Sequence, residues 1–241
     1  MQFSIESFLL ANFIILVSSI LQMATGVSIG MIIVPFLAMI SYELIPAPIV
    51  FASIVLTIMM AYKGRANIDT KNLPQIGLGM FIGIFVALFI LINTNFKYLG
   101  LVYAIFILIS IFISIKIKTF TLNYKINYIG GFLAGVMGTT AAVGGQILAL
   151  LFQNHKLESI KATLSFLYTL FSIAMLIIFY YYDRFTYHDM VLGFYMMPGF
   201  LIGYFISKYF VHYFNPKYTK TVVLSMATLG SVILIVKTFM V

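Results

Sequence analysis

Apolar residues run along this chain in long blocks, with short polar stretches between them. The blocks fall at approximately 8–41, 46–62, 73–92, 98–115, 126–153, 160–182, 190–212 and 219–238. Most are about 17–23 residues, enough to cross ~30 Å of hydrocarbon as a helix rising 1.5 Å per residue. The pattern predicts an all-α polytopic membrane protein with about eight transmembrane segments. No soluble domain, long linker or low-complexity tract interrupts it, so residues 1–241 are expected to form a single membrane domain.

Two blocks are too long. Residues 8–41 would make a helix of roughly 51 Å and residues 126–153 one of roughly 42 Å. Both contain a glycine-punctuated break: ATGVSIGMIIVPFL from Ala24 to Leu37, and MGTTAAVGGQILALLFQ from Met137 to Gln153. Inside a bilayer an irregular backbone is tolerated only where it is buried in protein or lines a cavity. Interrupted segments at corresponding places in two halves are the best sequence pointer to a transport site. Internal similarity supports two halves. Gly79 to Phe85 reads GMFIGIF and Gly199 to Phe205 reads GFLIGYF. Each carries a small-residue face that lets helix backbones approach closely. The expectation is two related, inverted four-segment repeats, about 8–117 and 126–238, the first segment of each being broken or re-entrant. Gly79, Gly83, Gly199 and Gly203 are then helix-packing residues.

Composition agrees with a membrane protein: 63% hydrophobic, 8% charged, mean hydropathy +1.11. Cysteine is absent, which excludes disulfides. The net charge of +8 reads as topology signals and lipid-headgroup contacts rather than nucleic-acid binding. If every block crosses once, Lys and Arg divide 8 to 6 between the two sides. If the fifth block is a hairpin on one face, Lys63, Arg65, Lys71, Lys116, Lys118, Lys125, Lys156, Lys161, Lys208, Lys217 and Lys220 share one side. Only Lys97, Arg184 and Lys237 then face the other, a proper positive-inside pattern. The flanks of the first block carry no Lys or Arg, so charge does not decide whether it too is a hairpin. Symmetry favours that, and would put both termini outside the cytoplasm. The N-terminal stretch has Glu6 and no cation, so no cleavable signal peptide is expected.

All six carboxylates (Glu6, Glu43, Asp69, Glu158, Asp183, Asp189) and all three histidines (His155, His188, His212) lie in expected loops or at segment ends. That argues against a carboxylate proton relay in mid-membrane, against an intramembrane metalloprotease, and against enzymes in general. No cofactor or metal is expected. The breaks instead offer hydroxyls, amides and free backbone N–H groups: Gln22, Thr25, Gly26, Ser28 and Gly30 at the first, Gly138, Thr139, Thr140, Gly144, Gly145 and Gln146 at the second. A half-helix restarting after glycine presents the positive end of its dipole, an anion site needing no charged side chain. Lys63, Arg65 and Lys161 are candidates for a cytoplasmic gate or for anion attraction.

In the first half, the spacing of Gly26, Gly30 and Pro35, then Ile45 to Pro48 and the run Met60 to Arg65, resembles the sulfite exporter TauE/SafE family of membrane permeases. So do Met137 to Gly145, Ala149 to Gln153 and Lys161 to Leu164 in the second half. The resemblance covers nearly the whole chain, and the second-half motif is the more specific. Family members often carry proline where this chain has Gln146 and Ile147, and arginine where it has Lys161. The resemblance implies movement of small sulfur-containing or carboxylate anions, such as sulfite, sulfoacetate or other organosulfonates. Export is the favoured direction, because an inside-negative potential drives anions outward. The expected protein is a permease of the cytoplasmic membrane, partnered by a small anion and by lipid, with a homodimer permitted by the glycine faces. The alternatives are a cation or metal permease and a non-transporting membrane scaffold.

Overall fold

A computed structural model describes residues 4–25, 30–116, 122–210, 213–214 and 216–240. Of Thr25, Pro216, Lys217, Thr219 and Lys220 only the backbone is described. The described residues form ten α-helices: α1 Ile5–Thr25, α2 Gly30–Ile40, α3 Ala47–Gly64, α4 Leu73–Asn93, α5 Leu99–Lys116, α6 Tyr124–Ala141, α7 Gly145–Leu151, α8 Leu157–Tyr181, α9 Tyr187–Phe210 and α10 Pro216–Met240. Seven of them, α1, α3, α4, α5, α8, α9 and α10, are long and apolar enough to cross a membrane. The chain is thus a multi-pass membrane protein by length and hydropathy.

The count differs from eight for a physical reason. The first block divides into a helix of full crossing length, α1, and an 11-residue helix, α2. Its break therefore follows a helix that is by itself long enough to cross a membrane. In the second block, α6 has 18 residues but carries Asn127, four glycines and two threonines. That makes it too polar to count as a lipid-facing span. It is correspondingly enclosed by protein, with Asn127 and the whole stretch Ala134 to Ala141 buried.

Local sequence explains the ends. Pro46 and Pro48 open α3 and Pro74 opens α4, where a missing N–H costs nothing. Asn123 caps α6, its side chain accepting from Ile126 N at 2.9 Å. The α6 helix stops at Ala142, whose φ of 53° is left-handed. Its N–H still donates to Gly138 O at 3.0 Å, and Val143 N donates to Met137 O at 3.2 Å.

Glycine faces set the main helix pairings. On α4, a Cβ at Gly83 would lie 2.6 Å from Phe132 O and 2.7 Å from Val136 N of α6. Gly79 meets Tyr128 and Gly131 of α6, and Gly131 and Gly135 close back on Ile76 and Met80 of α4. On α9, Gly199 packs on Asn12 and Ile15 of α1, and Gly203 on Leu16 and Ser19. Residue numbers rise together along both pairs, so α4 runs parallel to α6 and α9 parallel to α1. Asn12 locks the second pair: Nδ2 donates to Tyr195 O at 2.8 Å and Oδ1 accepts from Gly199 N at 2.7 Å.

Polar contacts gather the helix ends at two poles. At one, Asn127 Nδ2 donates to Asn72 Oδ1 (2.9 Å), His155 Nε2 pairs with Asp69 Oδ2 (3.3 Å), and Asp69 N donates to Thr163 Oγ1 (2.9 Å). The start of α6, the exit from α7 and the start of α8 thus meet the loop before α4. At the other pole, Lys237 at the end of α10 reaches Ala38 O and Met39 O at the end of α2 (3.4 and 3.3 Å). His188, opening α9, lies 3.7 Å from Glu43 there.

Candidate functional site

The two breaks touch. Gly30, which opens α2, lies against the carbonyl of Ala142, the residue that ends α6, so closely that any Cβ would collide with it. Gly144, just before α7, lies against the carbonyl of Ala134 in the same way, and its backbone is ordinary right-handed helix (φ −60°, ψ −20°). The break glycines are therefore needed for close backbone approach. The left-handed turn itself falls on Ala142.

Around that contact is a cavity of about 80 Å³. Its lining brings Gln22 of α1 and Gly30, Ile33 and Val34 of α2 together with Ala134 and Gly138 of α6, Ala142 and Gly144 of the turn after it, and Gly145 and Leu148 of α7. Helix α3 adds Ile49, Val50, Ser53 and Thr57, and α8 adds Tyr168, Phe171 and Ser172. Met80 and Phe200 close it from α4 and α9. Tyr168 and Ser172 flank the middle of the 25-residue α8, so the cavity sits at mid-depth in the bundle. None of the described lining residues is charged.

Five of the site residues expected from the sequence line this cavity: Gln22, Gly30, Gly138, Gly144 and Gly145. Three do not. Thr140 is buried and donates its hydroxyl to Val136 O, a helical back-bond. Thr139 is fully buried, and its Oγ1 has no hydrogen-bond partner among the described residues. Gln146 is buried at the second position of α7, beside the cavity rather than on its wall. Gly26 and Ser28 lie outside the described residues, as does the side chain of Thr25.

The expected cations stand apart from the cavity wall. Lys63 and Arg65 are exposed, Arg65 stacking over the Tyr62 ring at 4.6 Å. Lys161 donates to Met23 O at 2.6 Å. That carbonyl belongs to the last described turn of α1, where an ammonium favours the negative end of the helix dipole. Among the described residues no group of three His, Asp or Glu is placed to hold a metal.

The hydroxyls of α3 and α8 were not singled out from the sequence. A signal existed: Ser53 and Thr57 are four residues apart, as are Tyr168 and Ser172, and each pair lies on one helix face. Ser53 and Thr57 donate to Val50 O (2.9 Å) and Ile54 O (3.0 Å). A hydroxyl in such a back-bond rotates freely enough to donate to a ligand instead. At the openings of α2 and α7 the first N–H groups have no intrahelical acceptor, and no side chain caps α7.

A model of the sulfite exporter TauE/SafE family matches residues 11–234. The chain belongs to this family. The match covers both breaks, five of the seven long helices whole, and most of α1 and α10. TauE/SafE proteins are membrane permeases of sulfur anions, transporters rather than enzymes. With seven apolar helices, family membership makes this a multi-pass integral protein of the plasma membrane. No curated protein and no solved structure matches the chain.

Proposed function

We propose that the protein is a secondary permease that carries a small anion out of the cell by alternating access, binding it where the two breaks meet. The observation that carries this reading is a mid-depth cavity walled by residues of both breaks. A binding place shared by two interrupted segments near the middle of the bilayer is the arrangement expected of such transporters. The opening of α2 would turn its free N–H groups and dipole toward the anion. Helix α7, with seven residues, is too short to add much dipole and would contribute N–H groups alone. Gln22 and the hydroxyls of Ser53, Thr57 and Ser172 would complete the shell.

The reading includes an inverted repeat of α1–α5 and α6–α10. In support, the most closely packed pairs are crossed: the fourth helix of each half packs parallel on the first helix of the other, through the matching glycine faces. The third helices α3 and α8 pack together, as do the fifth, α5 and α10. In support of re-entrant pieces, α6 and α7 begin and end beside the same loop, bonded to Asn72 and Asp69. Helix α2 likewise returns to the pole where α1 begins. The eight described cations Lys63, Arg65, Lys71, Lys116, Lys125, Lys156, Lys161 and Lys208 then share the cytoplasmic pole, against Lys97, Arg184 and Lys237. Both termini face outward.

Export needs no coupling ion in this scheme, since an inside-negative potential moves each negative charge outward by about 2.3 kcal/mol per 100 mV. The test is sulfite efflux from proteoliposomes of the purified protein under an imposed potential. Efflux is expected to quicken when the interior is negative and to vanish in Gly144→Leu. Efflux indifferent to potential contradicts charge-driven export, and no efflux above protein-free liposomes contradicts the anion reading.

A further inference from the structure

We infer that the cavity selects singly charged anions of about three to five non-hydrogen atoms, and rejects both dianions and longer organosulfonates. The inference rests on the anion reading above and narrows its substrate class. Size comes first. The cavity measures about 80 Å³. A cavity of about 150 Å³ accommodates benzene, a ring of six carbons. Roughly half that volume suits hydrogen sulfite, acetate or methanesulfonate. Taurine and sulfoacetate, each with a two-carbon chain and a second polar end, exceed it.

Charge follows from the lining. Val34, Ile49, Leu148, Phe171 and Phe200 make most of the wall apolar, and the polar groups, chiefly Gln22, Ser53, Thr57 and Ser172, are neutral. Among the described lining residues no cation offsets a second negative charge, and the Lys161 ammonium is engaged by Met23 O. The attraction between an anion and neutral N–H and O–H dipoles grows in proportion to the charge. The cost of removing the ion from water grows as its square, so a dianion pays about four times what a monoanion pays. In a neutral, largely apolar cavity the balance therefore turns against the dianion. For a substrate with both forms near neutral pH, such as sulfite, the monoanion is the species carried.

Methanesulfonate and sulfate separate charge from size: both are tetrahedral with the same number of heavy atoms, and they differ by one charge. Proteoliposomes of the full-length protein are loaded with radiolabelled methanesulfonate, sulfate, butanesulfonate or uncharged dimethyl sulfone, and Gly144→Leu proteoliposomes set the blank. Methanesulfonate is expected to leave at least about ten times faster than sulfate or butanesulfonate, a discrimination within reach of one pocket. Sulfate matching methanesulfonate overturns the charge rule and leaves the anion site standing. Butanesulfonate matching methanesulfonate overturns the size limit. Dimethyl sulfone crossing while no anion does, or no protein-dependent flux of any probe, overturns the anion site itself.

Discussion

Ala142 shows how a residue can end a helix at some cost to the fold. An alanine at φ 53° carries a backbone penalty of roughly 1–2 kcal/mol that glycine does not. Ala142→Gly is accordingly expected to leave the melting temperature in detergent unchanged or raise it, whereas Ala142→Val should lower it clearly. A fall with glycine comparable to that with valine would contradict the strain. Gly30 and Gly144 behave in the opposite way. Their Cβ positions are occupied by the carbonyls of Ala142 and Ala134, so Gly30→Val should cost about 1–3 kcal/mol through overpacking and separate the breaks. Thermal unfolding of the purified variant measures this. The glycines of the breaks were legible in the sequence as special positions, but their reason was not. Sequence marks where glycine stands and is silent on which carbonyl presses on it, that of Ala142 on Gly30 and that of Ala134 on Gly144. The same holds for Thr140, a candidate ligand by type whose hydroxyl turns back to its own helix.

Among the elements, the pairing of α1 with α9 depends on Asn12 as well as on Gly199 and Gly203. Its amide bonds both Tyr195 O and Gly199 N across the interface. Asn12→Leu should weaken that pair by about 0.6–1.7 kcal/mol, the range found for interhelical hydrogen bonds in membranes, read as a lower denaturation midpoint. An unchanged midpoint would show the glycines suffice. Lys161→Met should destabilise more than Lys161→Arg, because only the arginine can still donate to the last turn of α1. The helix blocks and both glycine faces were readable from hydropathy and spacing. The division of residues 8–41 into a 21-residue and an 11-residue helix was not, because an unbroken apolar run does not show where one helix ends and the next begins. The polarity of α6 was visible in its Asn127 and glycines, and it is explained only once α4 is seen packed along it.

At the scale of the whole molecule, the proposed topology puts eleven of the fourteen cations of the sequence inside and three outside, with both termini outside. The chain has no cysteine, so single cysteines report topology without background. Lys63→Cys should be labelled by an impermeant thiol reagent only from the cytoplasmic side, and Lys97→Cys only from outside. Labelling of both from one side would contradict the inverted arrangement. The central claim is that two breaks, far apart in sequence, make one anion site. Its most direct measurement is the melting temperature of the detergent-purified protein titrated with methanesulfonate, in the wild type and in Gly30→Val and Gly144→Leu, each compared with its own anion-free value. A ligand of the folded state raises that temperature in proportion to its binding. A shared site requires a saturable rise in the wild type that either substitution abolishes, although they lie in different halves of the chain. A rise that survives one of the two substitutions unchanged would mean that the breaks do not share a site.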